Sequence, residues 1–225
     1  MKFAALLLLL LLIPPALAAP HHAPASSRAV SAAQQSAVQV DGILSGVVDA
    51  LWAQNDQYFH EGDYPRIIAL DRIIVQADPH FIDCYTTGAL LMWSDGLDAD
   101  AEAFYRQCIQ NNSRTSAAYY DYGVFLSHHL RRYDDARRVF QTSAALPDAG
   151  VIDWRMLAHS YEKLGQYDRA VTEWRRIKAR WPNGAPGDGT HGAVDTNNLN
   201  KNLAKLDPPP SSPVRPDAPL KAPAR

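Results

Sequence analysis

Cysteine is scarce in this chain of 225 residues, which contains only two. These are Cys84 and Cys108, so the C-x-x-C spacing of thiol redox sites and many zinc sites is absent. The sequence also lacks G-x-S-x-G, H-E-x-x-H, a glycine-rich phosphate loop and a convincing carboxylate pair. We therefore predict no catalytic residues, no metal site and no cofactor.

An excess of positive charge is absent as well. Lys and Arg number 22 against 24 Asp and Glu, which gives a formal net charge of −2 at pH 7. The adjacent basic pairs Arg131-Arg132 and Arg175-Arg176 are interpreted as solvated helix faces or helix-end charges. Without a basic stripe, nucleic acid is excluded as a partner.

An apolar run long enough to span a bilayer is the third absence. Residues 4–13 are apolar, about ten residues against the roughly 20 that a membrane-spanning helix needs. Lys2 precedes this run, and Ala16-Leu17-Ala18 follows it as a small-x-small cleavage signal. We predict a signal peptide over 1–19 and a mature protein that is exported, periplasmic or secreted, without stable membrane insertion. An uncleaved anchor is the alternative.

A helical hairpin is the clearest motif that is present, over residues 154–182. Apolar residues of its first helix share one face at i, i+3, i+4 and i+7: Trp154, Leu157, Ala158 and Tyr161. Its second helix repeats the spacing with Ala170, Trp174 and Ile177. Gly165 stands between them, where a helix end often needs a left-handed residue. One such hairpin cannot bury its own apolar faces, so the sequence must supply more of them.

The same pattern recurs three times upstream, in steps of 34 or 35 residues. Residues in register with Trp154, for example, are Tyr119, Tyr85 and Leu51. Four repeats follow, over 48–81, 82–115, 116–150 and 151–184, the third with one extra residue near Leu130-Arg131-Arg132. The first repeat departs most, because Asp71 takes an aromatic position and Asn55 a small one.

This pattern resembles the tetratricopeptide repeat family, W-x2-L-G-x2-Y followed by A-x3-F and Pro over about 34 residues. The resemblance implies an all-α, right-handed superhelical array of about four hairpins plus a C-terminal capping helix. We predict this domain over 41–207, with Asp41 as the first N-cap and the capping helix over 195–206.

The segments that flank the domain have a different composition. Residues 20–40 are rich in Ala, Ser and Gln and are predicted to be a flexible lead-in, with a frayed helix over 29–38 as the alternative. Residues 208–225 are rich in proline and are predicted to be disordered, as a plain spacer or as a docking motif.

The family's groove positions, carried over by register, predict a partner-binding surface on the first helix of each hairpin. The predicted groove residues are Trp52, Phe59, His60, Leu90, Trp93, Tyr120, Val124, His128, Arg155, His159, Glu162 and Lys163. The N-terminal half of this set is aromatic and apolar, and its C-terminal end is charged. Exposed aromatic residues are candidate anchors for a peptide or helix. The sequence leaves open whether Trp52 and Trp93 belong to the groove or to the core.

The pairing of the two cysteines is also open. Cys84 lies near the start of one helix and Cys108 near the end of its partner, so antiparallel packing permits a disulfide, as does an exported location. Alternatively, each is simply a small buried residue.

Taken together, the sequence predicts a non-enzymatic scaffold that binds a protein or peptide partner in the groove. The alternative is an accessory or regulatory subunit of a cell-envelope assembly, which docks through its outer faces or its Pro-rich tail. A third interpretation is a small hydrolase or metal enzyme that uses His60, His128 and His159.

Overall fold

The computed structural model describes residues 25–185 and 196–206, and every element within those ranges is a helix. The predicted signal peptide (1–19) and Pro-rich tail (208–225) lie outside the described residues. The chain divides into two compact parts, residues 1–43 and residues 44–225. Within the described ranges, no helix is both long and apolar enough to cross a membrane.

Four antiparallel hairpins and one final helix make up the fold. Their bounds are α1 Ala25–Glu61, α2 Tyr64–Ala77, α3 Ile82–Ser94, α4 Asp98–Asn111, α5 Ser116–Val124, α6 Tyr133–Ala145, α7 Val151–Lys163, α8 Tyr167–Arg180 and α9 Thr196–Leu206. A π-helical turn, Phe125–His129, extends α5. The predicted fold class, an all-α array of about four hairpins with a capping helix, is confirmed.

The core alternates small and large side chains, as the repeat pattern predicts. Ala101, Ala136 and Ala170 are completely buried, and so is the large side chain of Trp174. The helices of hairpin three approach so closely that a Cβ atom on Gly123 would lie 2.5 Å from the Phe140 ring. Small residues are therefore required where two helices cross.

Three of the hairpins turn through a glycine in the left-handed conformation. Gly62, Gly96 and Gly165 have φ angles of 74°, 78° and 69°. After each glycine, the next backbone N–H donates to a carbonyl five residues earlier, as in Gln166 N to Tyr161 O at 2.9 Å. This is the Schellman arrangement, and it satisfies carbonyls at the helix end.

Hairpin three makes the same turn with one residue more. Arg131 occupies the place of the glycine with a φ of 57°, and Arg132 N donates to Leu126 O, six residues earlier, at 2.9 Å. The π-helical turn just before it absorbs the extra residue, because each of its hydrogen bonds spans one residue more than in an α-helix. A non-glycine residue in this conformation costs roughly 1–2 kcal/mol.

The first helix begins earlier than the sequence indicates. It starts at Ala25, inside the stretch predicted to be a flexible lead-in, and Asp41 lies within the helix instead of capping it. Alanine and glutamine favour helix without any apolar period, so a composition that looks like a linker is compatible with a helix.

The last helix covers the end of the array. Leu199 and Leu206 of α9 are fully buried, and Lys178 Nζ of α8 donates to Asn200 Oδ1 at 2.8 Å. An apolar edge of α9 thus shields the face that α7 and α8 would otherwise expose.

Candidate functional site

The first helix of each hairpin carries the predicted groove residues, and most of the apolar ones pack partly against the core. This holds for Trp52, Leu90, Trp93, Tyr120 and Val124. Each is half-buried, so its side chain contributes to the core and presents only part of its surface to solvent.

The sequence leaves open whether Trp52 and Trp93 belong to the groove or to the core, and in the structure both are half-buried. The ring of Trp52 packs against Phe81 with centroids 4.8 Å apart, and Trp93 meets His129 edge to face at 4.3 Å. Burial also lowers the pKa of His129, as do the nearby charges of His128 and Arg131. Trp93 thus contacts the next hairpin through His129 while part of its side chain remains at the surface.

Phe59 is the most exposed aromatic residue of the predicted set, with 56% of its surface accessible. Neighbouring His60 is exposed too, and its Nε2 lies 3.7 Å from the Asp56 carboxylate. Both residues are in the last turns of α1.

A cavity of about 290 Å³ opens beside Phe59, which we call the aromatic pocket. Its lining residues come from α1, α2 and α3: Trp52, Asn55, Asp56, Phe59, Ile67 and Thr87. It contains two predicted groove residues, Trp52 and Phe59, and joins them to polar residues that the groove prediction does not include.

Asn55 links the aromatic pocket to a buried carboxylate. Asn55 is only 4% exposed, and its Nδ2 donates to Asp71 Oδ1 at 2.6 Å. The thiol of Cys84 donates to the same oxygen at 3.2 Å. Burial raises the pKa of Asp71 to about 6, against the opposing effect of these two hydrogen bonds. Asn55 and Asp71, the two residues at which the first repeat departs from the repeat pattern, are thus hydrogen-bonded to each other.

A second cavity of about 280 Å³, the charged pocket, lies at the other end of the array. It is lined by Ser127, His128, Phe140, Met156, His159, Ser160, Glu162, Lys163 and Lys205. Four predicted groove residues meet there: His128, His159, Glu162 and Lys163. Sequence reasoning missed Lys205, because only the docking of α9 brings it to this place.

Glu162 is the most constrained side chain of the charged pocket. Its Oε1 accepts a hydrogen bond from Trp174 Nε1 at 2.8 Å and lies 3.3 Å from His159 Nδ1. Lys205 Nζ lies 3.7 Å from Oε2. Burial alone raises the pKa of Glu162, but His159, Trp174 and Lys205 together bring it below its ordinary value. Glu162 is therefore an anion at neutral pH, and it fixes the orientation of its neighbours.

The other predicted groove residues line neither pocket. Leu90, Trp93, Tyr120 and Val124 lie on the helices between the two pockets, and Arg155 is half-buried on α7. The structure also separates His60 from the pair His128 and His159. Across the described ranges, no group of three or more His, Cys, Asp or Glu residues could hold a metal ion.

Both cysteines are free thiols and fully buried, so the structure does not contain the disulfide that the sequence left open. Cys84 turns toward Asp71 of the preceding hairpin, whereas Cys108 Sγ accepts from Asn112 Nδ2 at 3.9 Å. Burial and the charge of Asp71 raise the pKa of Cys84, so this thiol is a poor nucleophile.

No protein-family model and no curated protein matches this chain. Among solved structures, PilF of Pseudomonas aeruginosa is similar over 72% of this chain and 68% of its own, with 16% identity and a TM-score of 0.51.

Two further structures share the likeness. PilW, described as a widely conserved type IV pilus biogenesis factor, matches 61% of this chain and 63% of its own, with 20% identity and a TM-score of 0.48. The MamA protein matches 60% and 74%, with 19% identity and a TM-score of 0.46. Identities this low concern the fold alone. With four hairpins that repeat every 34 or 35 residues, the chain has the tetratricopeptide-repeat fold.

Proposed function

We propose that this protein is an exported, non-enzymatic scaffold that binds a peptide or partner helix along the first helices of its hairpins. The observation that carries the proposal is the pair of cavities at opposite ends of that surface, about 290 and 280 Å³ in volume. Six residues that the repeat register assigns to the groove line them: Trp52, Phe59, His128, His159, Glu162 and Lys163.

The two pockets suit different parts of one partner. An exposed aromatic side chain such as Phe59 provides contact area at little cost in conformational entropy, which is how binding hot spots form. The charged pocket contributes orientation more than affinity, because paired charges steer and align a partner. A segment that reaches both pockets would be held in one direction.

The test is capture of peptides from a random library by the mature protein and by single-residue variants. We expect Phe59→Ala to weaken binding of the selected peptides by about tenfold or more, the loss of a hot-spot side chain. Lys163→Ala removes a charge from the other pocket and should change the preferred peptides. Ile73→Ala is the matched control, because Ile73 is 53% exposed on α2, outside both pockets.

Two results would contradict the groove. If no peptide is enriched above background, or if the enriched peptides bind Phe59→Ala and Lys163→Ala as well as the unchanged protein, the pockets are not the binding surface. Docking through the outer faces or through the Pro-rich tail would then account for any partner that is captured.

Export is tested separately. Expression of the full chain should yield a protein that lacks residues 1–19 outside the cytoplasm, measured by intact mass of the periplasmic and culture fractions. Full-length protein that stays in the membrane fraction would instead indicate an uncleaved anchor.

A further inference from the structure

We propose that the aromatic pocket binds a basic side chain, arginine or lysine, of the partner segment. This inference rests on the proposed function, because it names the chemistry of one side chain of the bound peptide. Three features of the pocket support it: the aromatic walls, an unused hydrogen-bond acceptor and the sign of the surrounding charge.

The walls are the first feature. Trp52 and Phe59 lie two turns apart on α1 and both line the cavity, with Ile67 contributing from α2. The faces of aromatic rings carry negative electrostatic potential and attract ammonium and guanidinium groups, most strongly when the rings are tryptophan. The volume of about 290 Å³ admits on the order of ten non-hydrogen atoms, enough for an arginine side chain.

The second feature is the carbonyl oxygen of Asn55. The amide nitrogen of Asn55 donates a hydrogen bond to Asp71 Oδ1, and this bond fixes the orientation of the carboxamide. Oδ1 is buried and accepts no hydrogen bond from any described residue. A buried acceptor without a donor is unfavourable, so a ligand that brings an N–H group stabilises this site. Lysine and arginine carry several such groups and no acceptor.

Charge is the third feature. Asp56 lines the pocket, and the Asp71 carboxylate accepts a hydrogen bond from Asn55, another lining residue. The described lining residues include no lysine, arginine or histidine. His60, which is not a lining residue, lies with its Nε2 3.7 Å from Asp56 Oδ2 near the end of α1. A cation entering the pocket is therefore attracted by Asp56, which lines it, and by Asp71, which is hydrogen-bonded to the lining residue Asn55.

Other side chains fit less well. An apolar side chain would leave Asn55 Oδ1 unpaired, and an acidic one would face both carboxylates and the negative faces of the rings. An aromatic side chain with an N–H or O–H group satisfies Asn55 but gains nothing from Asp56. Positive charge distinguishes the proposed occupant from these.

The experiment compares two probes of the same shape that differ in charge. Nα-acetyl-arginine methylamide and its neutral counterpart Nα-acetyl-citrulline methylamide are titrated into the ¹⁵N-labelled mature protein, and the indole N–H signals are followed by NMR. The Trp52 signal, assigned with Trp52→Phe, reports on the aromatic pocket. The Trp174 indole donates to Glu162 and reports on the charged pocket as an internal control.

We expect the arginine probe to shift the Trp52 signal and to bind about tenfold more tightly than the citrulline probe, with Trp174 unchanged. Asp56→Asn should reduce this preference without unfolding the protein, since Asp56 is exposed. Phe59→Ala should weaken the binding of both probes, whereas Ile73→Ala should change the binding of neither.

Equal affinity of the two probes, or no shift of Trp52 at millimolar concentrations, would overturn the inference. If library peptides still bind in a Phe59-dependent way but show no preference for a basic residue, only the proposed occupant is wrong and the scaffold function stands. If neither probes nor peptides bind, both proposals fall.

Discussion

We expect the buried carboxyl group of Asp71 to contribute to stability in a way that decreases as the pH rises, opposite to the usual contribution of a carboxylate. Asp71 is completely buried, and its Oδ2 is without a hydrogen bond among the described residues. The change to test is Asp71→Asn, which keeps an oxygen that can accept from Asn55 and Cys84 but never ionises.

The size of the effect follows from the pKa of Asp71, which burial raises from 3.8 to about 6. Between these two values the folded protein holds a proton that the unfolded chain has already released. The contribution of Asp71 to the free energy of unfolding therefore falls as the pH rises through this window. Above the window, the whole cost of burying the ionised carboxylate is present. Two pKa units correspond to about 3 kcal/mol.

The measurement is the free energy of unfolding from urea titrations, followed by circular dichroism, between about pH 4 and pH 7. Because other groups titrate equally in both proteins, only the difference between the two is interpreted. We expect Asp71→Asn to gain about 2 to 3 kcal/mol over the unchanged protein across this range. Asp49→Asn, the same change at an exposed position of α1, is the matched control.

A difference between Asp71→Asn and the unchanged protein that stays constant with pH would refute this reasoning. It would mean that Asp71 keeps its ordinary affinity for protons, and that water or rearranged side chains solvate its carboxylate in solution.

Gly123→Ala should lower stability by about 1 to 3 kcal/mol, because the new Cβ would lie 2.5 Å from the Phe140 ring, while Gly46→Ala should raise it, since nothing lies within 4 Å. Thermal melts of the pair would contradict the packing argument if both shifts had the same sign. Glu102→Gln should cost about 1 to 2 kcal/mol, because the carboxylate accepts from two arginines and a tyrosine. That loss should vanish at acidic pH, since those bonds lower the pKa of Glu102 and hold it ionised in the native state. Leu199→Ala should cost about 2 to 4 kcal/mol and increase hydrogen exchange in α8; unchanged exchange would argue against a capping role.

The helical hairpins and their register were predictable from the sequence, because each depends on neighbours a few residues apart. Trp154, Leu157 and Tyr161 share a face by helix geometry alone, and Gly165 marks the turn by its backbone freedom. Repetition at one period then determines that similar hairpins stack. This local logic is why the fold class and the four hairpins agree with the structure.

Details of each hairpin depended on contacts between hairpins. The one-residue insertion was visible in the sequence, but not that a π-helical turn absorbs it while Arg131 takes the place of a glycine. Likewise Asn55 and Asp71 looked like two separate departures from the pattern, although they are one hydrogen-bonded pair. Residues on different helices meet only after packing, so sequence spacing does not reveal such pairs.

For the two pockets too, sequence register predicted some of the lining residues and packing between helices decided the others. The sequence named Phe59, His159 and Glu162 from register, because the first helix of every hairpin points the same positions outward. Only the tertiary structure added Asn55 to one pocket and Lys205 to the other, and brought Trp93 into contact with His129 of the next hairpin. Periodicity determines which face of a helix a residue occupies, whereas the fit between helices determines whether that face is a cavity, a contact or a site.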